Sequence, residues 1–249
     1  MTEEFHMPPE NVDFTWRRRL LRWLLRHLAF RTLVEVEAEG VENVPPKGGT
    51  ILMLNHTGFA DPVAVAGMVD RDDVVPMSKI ENFRNPFLSI FVRAWGAFSV
   101  RRGAVDRRAL RYAVSLLKKG GSILMSPEGT RVPMLRKARH GVTYLALKAN
   151  ALLVPVGVDG ADQVLTNWKR LKRTRLSVRF GRPFRFRYQL KDEAEHVPKD
   201  VLEEMTDEAM YQLAALLPEH RRGAYSDLSR LRTDYLEFCE ECARRPASA

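Results

Sequence analysis

Hydrophobic positions along the chain follow two periods, one typical of strands and one typical of helices. Short apolar runs predict strands at residues 33–39, 50–54, 74–77, 97–100, 122–125, 152–158, 176–180 and 184–188. Helical patterns lie between them, after Pro62 and at residues 86–95, 106–119 and 142–149. Strands that alternate with helices predict an α/β fold, with one single-domain mixed sheet flanked by helices.

The two ends of the chain carry patterns of their own. Residues 14–33 predict an amphipathic helix with two tryptophans, several leucines, six arginines and no acid. This composition is typical of a helix in a membrane interface, with Trp and Leu inserted and Arg at the headgroups; a helix that covers the core is the alternative. Residues 199–217 and 225–243 predict two further helices. We therefore expect a docking helix (1–33), an α/β domain (34–191) and an acidic helical extension packed on the domain (192–249).

Charge is unevenly distributed along the 249 residues. The chain has 40 Lys and Arg against 31 Asp and Glu, a net charge of +9. Residues 1–191 carry +16 (33 minus 17) and residues 192–249 carry −7 (7 minus 14), and ten basic residues and no acid lie within 163–191. Such a field attracts an anion, whether a membrane, a phosphorylated substrate or a nucleic acid. Because no nucleic-acid-binding module accompanies the basic tract, we expect no nucleic-acid partner.

Composition and the length of the apolar runs indicate where the protein is located. Only two cysteines are present, which excludes a disulfide-rich scaffold. No uncharged run approaches the ~20 residues that a membrane-spanning helix needs, and no apolar core follows the N-terminal Met-Thr-Glu-Glu. We therefore expect a peripheral protein at the cytoplasmic face of a membrane.

The strongest candidate for chemistry follows the strand at 50–54. His56 and Asp61 stand five residues apart, where that strand ends and a helix begins. Ligand sites in α/β folds lie at such carboxyl ends of strands. Asp61 can accept a hydrogen bond from one ring nitrogen and leave the other basic, which creates a general base for a hydroxyl proton. The alternative is that Asp61 only caps the helix and His56 is a polar turn residue.

Two further polar segments also follow predicted strands. Ser126 to Arg131 contains a glycine, a hydroxyl and an arginine, and residues 96–103 end in Arg101 and Arg102. Arginine presents a planar fork that suits phosphate, and glycine allows close approach of the backbone. Together the three segments indicate a site for an anionic substrate next to a base.

In this order the segments resemble those of the glycerophospholipid acyltransferase family, whose best-known members are 1-acylglycerol-3-phosphate acyltransferases. The resemblance covers residues 50–160. It rests on His56-x-x-x-x-Asp61, on Gly96-x-Phe98-x-x-Arg101, on Glu128-Gly129-Thr130-Arg131, on Leu153-Val154-Pro155-Val156 and on the basic segment at 77–81 that contains Lys79. The sequence departs from the pattern at Gly58, where many members have Ser.

The resemblance implies transfer of a fatty acyl group from a thioester to the hydroxyl of a lysophospholipid, with 1-acylglycerol 3-phosphate as the expected acceptor. Glycerol 3-phosphate or a lyso-aminolipid is an alternative acceptor, and a non-catalytic protein that binds anionic membranes or nucleic acid is the alternative from another class. His56 is the implied base and Asp61 its orienting partner. The implied substrate contacts are Lys79, Arg101, Glu128, Gly129, Thr130, Arg131 and Pro155. No metal or cofactor is expected; acyl-CoA or an acyl carrier protein is the co-substrate, and anionic lipids are expected partners.

Overall fold

A mixed sheet forms the centre of the protein. The computed structural model describes residues 5–9, 12–103, 105–188, 190 and 197–239. Its strands are β1 (Val34–Glu39), β2 (Thr50–Leu54), β3 (Val74–Lys79), β4 (Phe98–Val100), β5 (Ser122–Met125), β6 (Leu152–Asp159), β7 (Thr174–Phe180), β8 (Phe184–Phe186) and β9 (Leu236–Phe238). The main order is β1-β7-β6-β2-β5-β3-β4, while β8 pairs with β6 and β9 with β8. The eight strands predicted from the apolar runs are all present.

Helices cover both faces of the sheet. They are α1 (Thr15–Leu24), α2 (Phe30–Thr32), α3 (Ala60–Met68), α4 (Pro86–Ala94), α5 (Arg107–Lys118), α6 (Gly141–Ala149), α7 (Val164–Lys169), α8 (Lys199–Ala214) and α9 (Glu219–Arg222). One apolar core lies between the sheet and α5, α6 and α8, and a second lies between the sheet and α3. The predicted α/β class, a mixed sheet flanked by helices, is confirmed.

Strand direction gathers the loops that follow the strands at one edge. β2 pairs in parallel with β5 and β6, and β3 pairs in parallel with β4 and β5. Their carboxyl ends therefore point the same way, and we call this the site edge. β7 is antiparallel to β6, and β1 is parallel to β7, so both begin at the site edge. There the Thr174 N–H donates to the Leu33 carbonyl, 3.3 Å away.

The N-terminal helix is attached to the domain by its arginines. α1 continues through a π-helical turn (Leu25–Ala29) into α2. Arg18, which is buried, donates to the carbonyls of Trp95 (2.8 Å) and Asp72 (2.9 Å). Arg26 donates to the carbonyls of Gly67 (2.7 Å) and Met68 (2.8 Å). The Gly67 and Met68 carbonyls lie in the last turn of α3, where carbonyl groups lack donors within the helix and a nearby positive charge is favourable.

Two features of this helix differ from the sequence prediction. Arg22 and Arg26 were expected at lipid headgroups, but Arg22 contacts Asp72 and the Arg71 carbonyl, and Arg26 binds the end of α3. The alternative, a helix that covers the core, describes one side of it, since Leu25 and Phe30 pack close to Gly67 of α3. The apolar stripe faces outward; its members are Trp16 (58% exposed), Leu20, Trp23 (55% exposed), Leu24 and Leu28. None of the described helices is long and apolar enough to cross a membrane.

The C-terminal extension contributes a strand as well as helices. The helix predicted at 199–217 is present as α8. The helix predicted at 225–243 is wrong, because residues 236–238 form β9 and pair with β8 through Phe184 and Phe186. Leu236 faces the core and Glu237 is exposed, which is the alternation of a strand. Residues 240–243 of that prediction lie outside the described residues.

Candidate active site

The catalytic candidates lie in the turn that follows β2. Asn55 is buried at the end of that strand and exchanges two hydrogen bonds with Val158 of β6, at 2.8 and 2.7 Å. These bonds fix the point at which the chain leaves the sheet. His56 comes next, and its Nδ1 lies 2.9 Å from Asp61 Oδ2. The predicted pair is therefore in contact.

Asp61 is fully buried in the first turn of α3. Its Oδ2 also accepts from the backbone N–H groups of Thr57 (2.6 Å) and Gly58 (2.7 Å). In the tautomer of His56 that has its hydrogen on Nδ1, Asp61 accepts from that N–H and Nε2 is left to act as a base. Nε2 has no partner among the described residues, and His56 lines the cavity described next.

A cavity of about 480 Å³ lies in front of His56 at the site edge. One part of its lining is cationic and consists of Lys79, Arg101, Arg102 and Arg139. The other part is apolar and includes Leu54, Pro62, Pro76, Met77, Leu110, Leu124, Val142 and Leu145. The single acid of the lining, Asp106, caps α5 and accepts from the Arg101 N–H at 3.0 Å. This cavity suits a ligand that has an anionic group and a hydrocarbon chain.

The structure brings together some of the predicted contact residues and separates others. Lys79, Arg101 and Gly129 line the cavity with His56. Thr130 and Arg131 are exposed and lie outside the lining. Pro155 is in the middle of β6, paired with Met53, and does not reach the cavity. Its position gives no support to the predicted substrate contact.

Glu128 lies behind the cavity wall rather than in it. The resemblance implied that Glu128 contacts the substrate, but it does not belong to the cavity lining, and its Oε1 accepts from the Arg136 backbone N–H at 3.0 Å. Oε2 is buried and has no hydrogen-bond partner among the described residues. Burial raises the pKa of Glu128 to about 7, against the lowering effect of the Arg136 and His56 backbone N–H groups. Glu128 thus holds the backbone of the loop after it.

Sequence reasoning missed three residues of this region. Arg102 and Arg139 line the cavity but were not among the predicted contacts, although Arg102 lies in the segment 96–103 that the sequence singled out. Asn55 was not among the predicted residues, and its bonds to Val158 span 103 positions. No group of three or more His, Cys, Asp or Glu side chains in the described ranges could hold a metal ion.

Comparison with known proteins gives a family match. The model of the family described as Acyltransferase matches residues 35–159, which is half of the chain. The match includes β1 to β6, the His56–Asp61 turn and all the cationic residues of the cavity lining.

Individual relatives agree with that match. A 1-acyl-sn-glycerol-3-phosphate acyltransferase of Bacillus subtilis is 24% identical over 148 residues, which cover 59% of this chain and 73% of the relative. One of Streptococcus pneumoniae is 29% identical over 134 residues, 53% of this chain and 49% of the relative. The chain thus spans about half the length of the second relative.

A solved structure has the same fold. It is the crystal structure of the 1-acyl-sn-glycerophosphate acyltransferase PlsC of Thermotoga maritima, which matches with a TM-score of 0.60 at 21% identity. The match covers 82% of this chain and 79% of that one, a larger share of this chain than the family match covers.

Proposed function

The chain belongs to the acyltransferase family, and from that premise we propose that it acylates the free hydroxyl of 1-acylglycerol 3-phosphate with an acyl thioester. The observation that carries the proposal is that His56 lines one cavity together with four cationic side chains and a set of apolar ones. The phosphate suits the cations, and an acyl chain suits the apolar lining. The hydroxyl between them then lies beside Nε2.

In the proposed reaction, His56 acts as a general base. Nε2 takes the hydroxyl proton as the hydroxyl oxygen attacks the thioester carbonyl, so a C–O bond forms and the C–S bond breaks. The thiolate that leaves takes the proton from the imidazolium. Asp61 accepts from Nδ1–H throughout, which keeps the ring oriented and stabilises its positive charge. No covalent acyl-enzyme is required.

The acceptor phosphate is the group that the cationic lining selects. Lys79, Arg101, Arg102 and Arg139 surround that part of the cavity, and arginine binds phosphate through two parallel bonds. An acceptor without phosphate would form fewer charge-assisted hydrogen bonds with these cations. We therefore propose a phosphorylated acceptor rather than a neutral glyceride.

The experiment that tests this function is an assay with labelled acyl thioester and a panel of acceptors. The panel contains 1-acylglycerol 3-phosphate, glycerol 3-phosphate, a lyso-aminolipid and monoacylglycerol, each with acyl-CoA and with acyl carrier protein as donor. We expect the fastest transfer to 1-acylglycerol 3-phosphate. Preference for monoacylglycerol would contradict the phosphate assignment, and transfer to glycerol 3-phosphate alone would replace the proposed acceptor.

We also propose that the enzyme works as a peripheral protein on an anionic bilayer. The outward stripe of α1, with Trp16 and Trp23, suits insertion at the interface between water and lipid. A second exposed group lies just after α7: Leu171 is 94% exposed, and Trp168 is exposed beside it. The four exposed cations around them are Lys169, Arg170, Lys172 and Arg173.

The location of this second group supports the same proposal. The segment 169–173 runs into β7, which begins at the site edge, and Thr174 bonds Leu33 at the end of the N-terminal helix. The second apolar group therefore adjoins the edge where the lipid substrate would enter, and the last turn of the N-terminal helix reaches the same edge. Farther along the basic tract, Arg175 and Arg179 face Glu35 and Glu39 of β1, which reduces their attraction for lipid. Each unneutralised cation near an anionic surface contributes about 1 kcal/mol.

A further inference from the structure

Arg221 connects two separate segments of the protein. It lies in α9 of the C-terminal extension, outside the residues that match the family, and is only 7% exposed. Its Nε lies 2.7 Å from Asp159 Oδ1, and its Nη2 lies 2.8 and 2.9 Å from the two oxygens of Asp162. Its Nη1 donates to the Pro133 carbonyl at 2.9 Å. One guanidinium thus binds the end of β6 and the loop after Arg131.

The first of these segments packs directly on the catalytic turn. A side chain at Gly58 would place its Cβ 2.5 Å from the Ala161 carbonyl oxygen and 2.9 Å from the Asp162 nitrogen. The backbone at 161–162 therefore lies against Gly58. The Gly58 N–H in turn donates to Asp61. A shift of this segment would release the turn that holds the His56–Asp61 pair.

The second segment contacts the same turn from the other direction. The Val132 N–H donates to the His56 carbonyl at 2.8 Å. Besides the bond from Arg221 Nη1 to Pro133, two backbone bonds join this segment to the extension, from the Leu135 N–H to the Arg221 carbonyl (2.8 Å) and from the Ala224 N–H to the Leu135 carbonyl (2.9 Å). Gly223 has φ +50° and a Cβ there would lie 2.1 Å from the Leu135 oxygen, so the contact requires glycine.

We propose that Arg221 is a positioning residue for the catalytic turn, a role that rests on the proposed function. Both segments that contact the turn end on the same guanidinium. Without it, Asp159 and Asp162 repel each other and the Pro133 carbonyl loses a donor. The turn then loses support on both sides, and Nε2 moves relative to the bound hydroxyl. Misplacement by about 1 Å is enough to slow a reaction about 100-fold.

The first test compares Arg221→Met and Arg221→Lys with a matched control, Arg222→Met. Arg222 is the next residue, and within the part of the chain that the structure describes its Nε donates to the Leu217 carbonyl of the extension, at 3.0 Å. We expect kcat per folded molecule to fall about 10–100-fold in Arg221→Met. Arg221→Lys should recover part of this loss, because an ammonium cannot hold both segments as a planar fork can. Arg222→Met should stay within about twofold of wild type.

A second comparison separates positioning from charge. Adding Asp159→Asn and Asp162→Asn to Arg221→Met removes the repulsion but does not restore the bridge, so we expect kcat to remain low. Recovery of kcat in this triple variant would overturn the proposal, and so would a wild-type kcat in Arg221→Met. A lower melting temperature with unchanged kcat per folded molecule would also overturn it. If Arg221→Met does not fold, Arg221→Lys provides the test. We then expect its kcat to be at least about fivefold lower than that of wild type. An unchanged kcat in Arg221→Lys would overturn the proposal.

The position of His56 can also be followed without turnover. The imidazole signals of His56 in NMR spectra should shift in the Arg221 variants and stay in place in Arg222→Met. If wild type acylates no acceptor of the panel, the proposed function fails while these signals still decide the role of Arg221. If wild type is active and neither kcat nor the His56 signals respond to Arg221→Met, the positioning role fails by itself.

Discussion

Replacing Glu128 with Gln tests the most perturbed carboxyl at the site. Its side chain is 8% exposed, and its Oε2 has no hydrogen-bond partner among the described residues. Burial raises its pKa from 4.5 to about 7, and the negative charge of Asp61 adds to this effect. A carboxyl whose pKa is higher in the folded state than in the unfolded state destabilises the fold once it is charged.

The pH dependence follows from these two pKa values. Below about pH 4.5 the Glu128 carboxyl is protonated in both states and does not lower the free energy of unfolding. As the pH rises toward 7, the carboxyl ionises first in the unfolded state, and the free energy of unfolding falls. Above about pH 7 the carboxyl is ionised in both states, and the free energy of unfolding has fallen by its full amount. Each factor of ten in proton affinity is worth about 1.4 kcal/mol, so the difference between 4.5 and about 7 corresponds to about 3 kcal/mol.

Gln cannot ionise, so this decrease in the free energy of unfolding should be absent from Glu128→Gln. We expect the stability of the variant relative to wild type to increase by about 3 kcal/mol between pH 4.5 and pH 8, whatever their difference at pH 4.5. The assay is urea denaturation at several pH values, with Glu37→Gln, at an exposed position on β1, as the control. A difference between variant and wild type that stays constant within about 1 kcal/mol across this range would refute the reasoning.

Three further predictions concern catalysis and docking. His56→Ala should lower kcat about 100- to 10,000-fold with the fold intact by circular dichroism; retention of a tenth of the activity would exclude a general base. Arg101→Met should raise the acceptor KM about 10–100-fold. Arg131→Met should raise it less, because of these two arginines only Arg101 lines the cavity. Equal effects of the two variants on KM in steady-state assays would contradict this placement. The double variant Leu20→Ser, Trp23→Ser should co-sediment less with anionic vesicles and should be less active on substrate in a bilayer. Its activity on detergent-dispersed substrate should not change. Unchanged co-sedimentation would exclude the stripe as a docking surface.

The parts of the site that sequence could predict are those formed by local rules. His56 and Asp61 are five residues apart, so one turn is enough to bring them together. Lys79, Arg101 and Gly129 come from different strands, but parallel strands end at a common edge, and that rule places them around one cavity. Neither inference needs knowledge of distant packing.

The parts that sequence could not predict depend on partners far along the chain. Periodicity divides the N-terminal helix into two faces but does not say which is buried, and here buried Arg18 finds its carbonyl partner 77 positions away. β9 pairs with β8 about 50 positions earlier, and without that partner residues 225–243 have a helical pattern. Arg221 meets Asp159 across 62 positions, and no motif marks the pair.

The close approach at Gly58 has a consequence for substitutions in this turn. A side chain at this position would collide with the Ala161 backbone. A larger residue therefore fits there only if residues 160–162 move away. A change at residue 58 and a change in the conformation of this loop can thus be made only together.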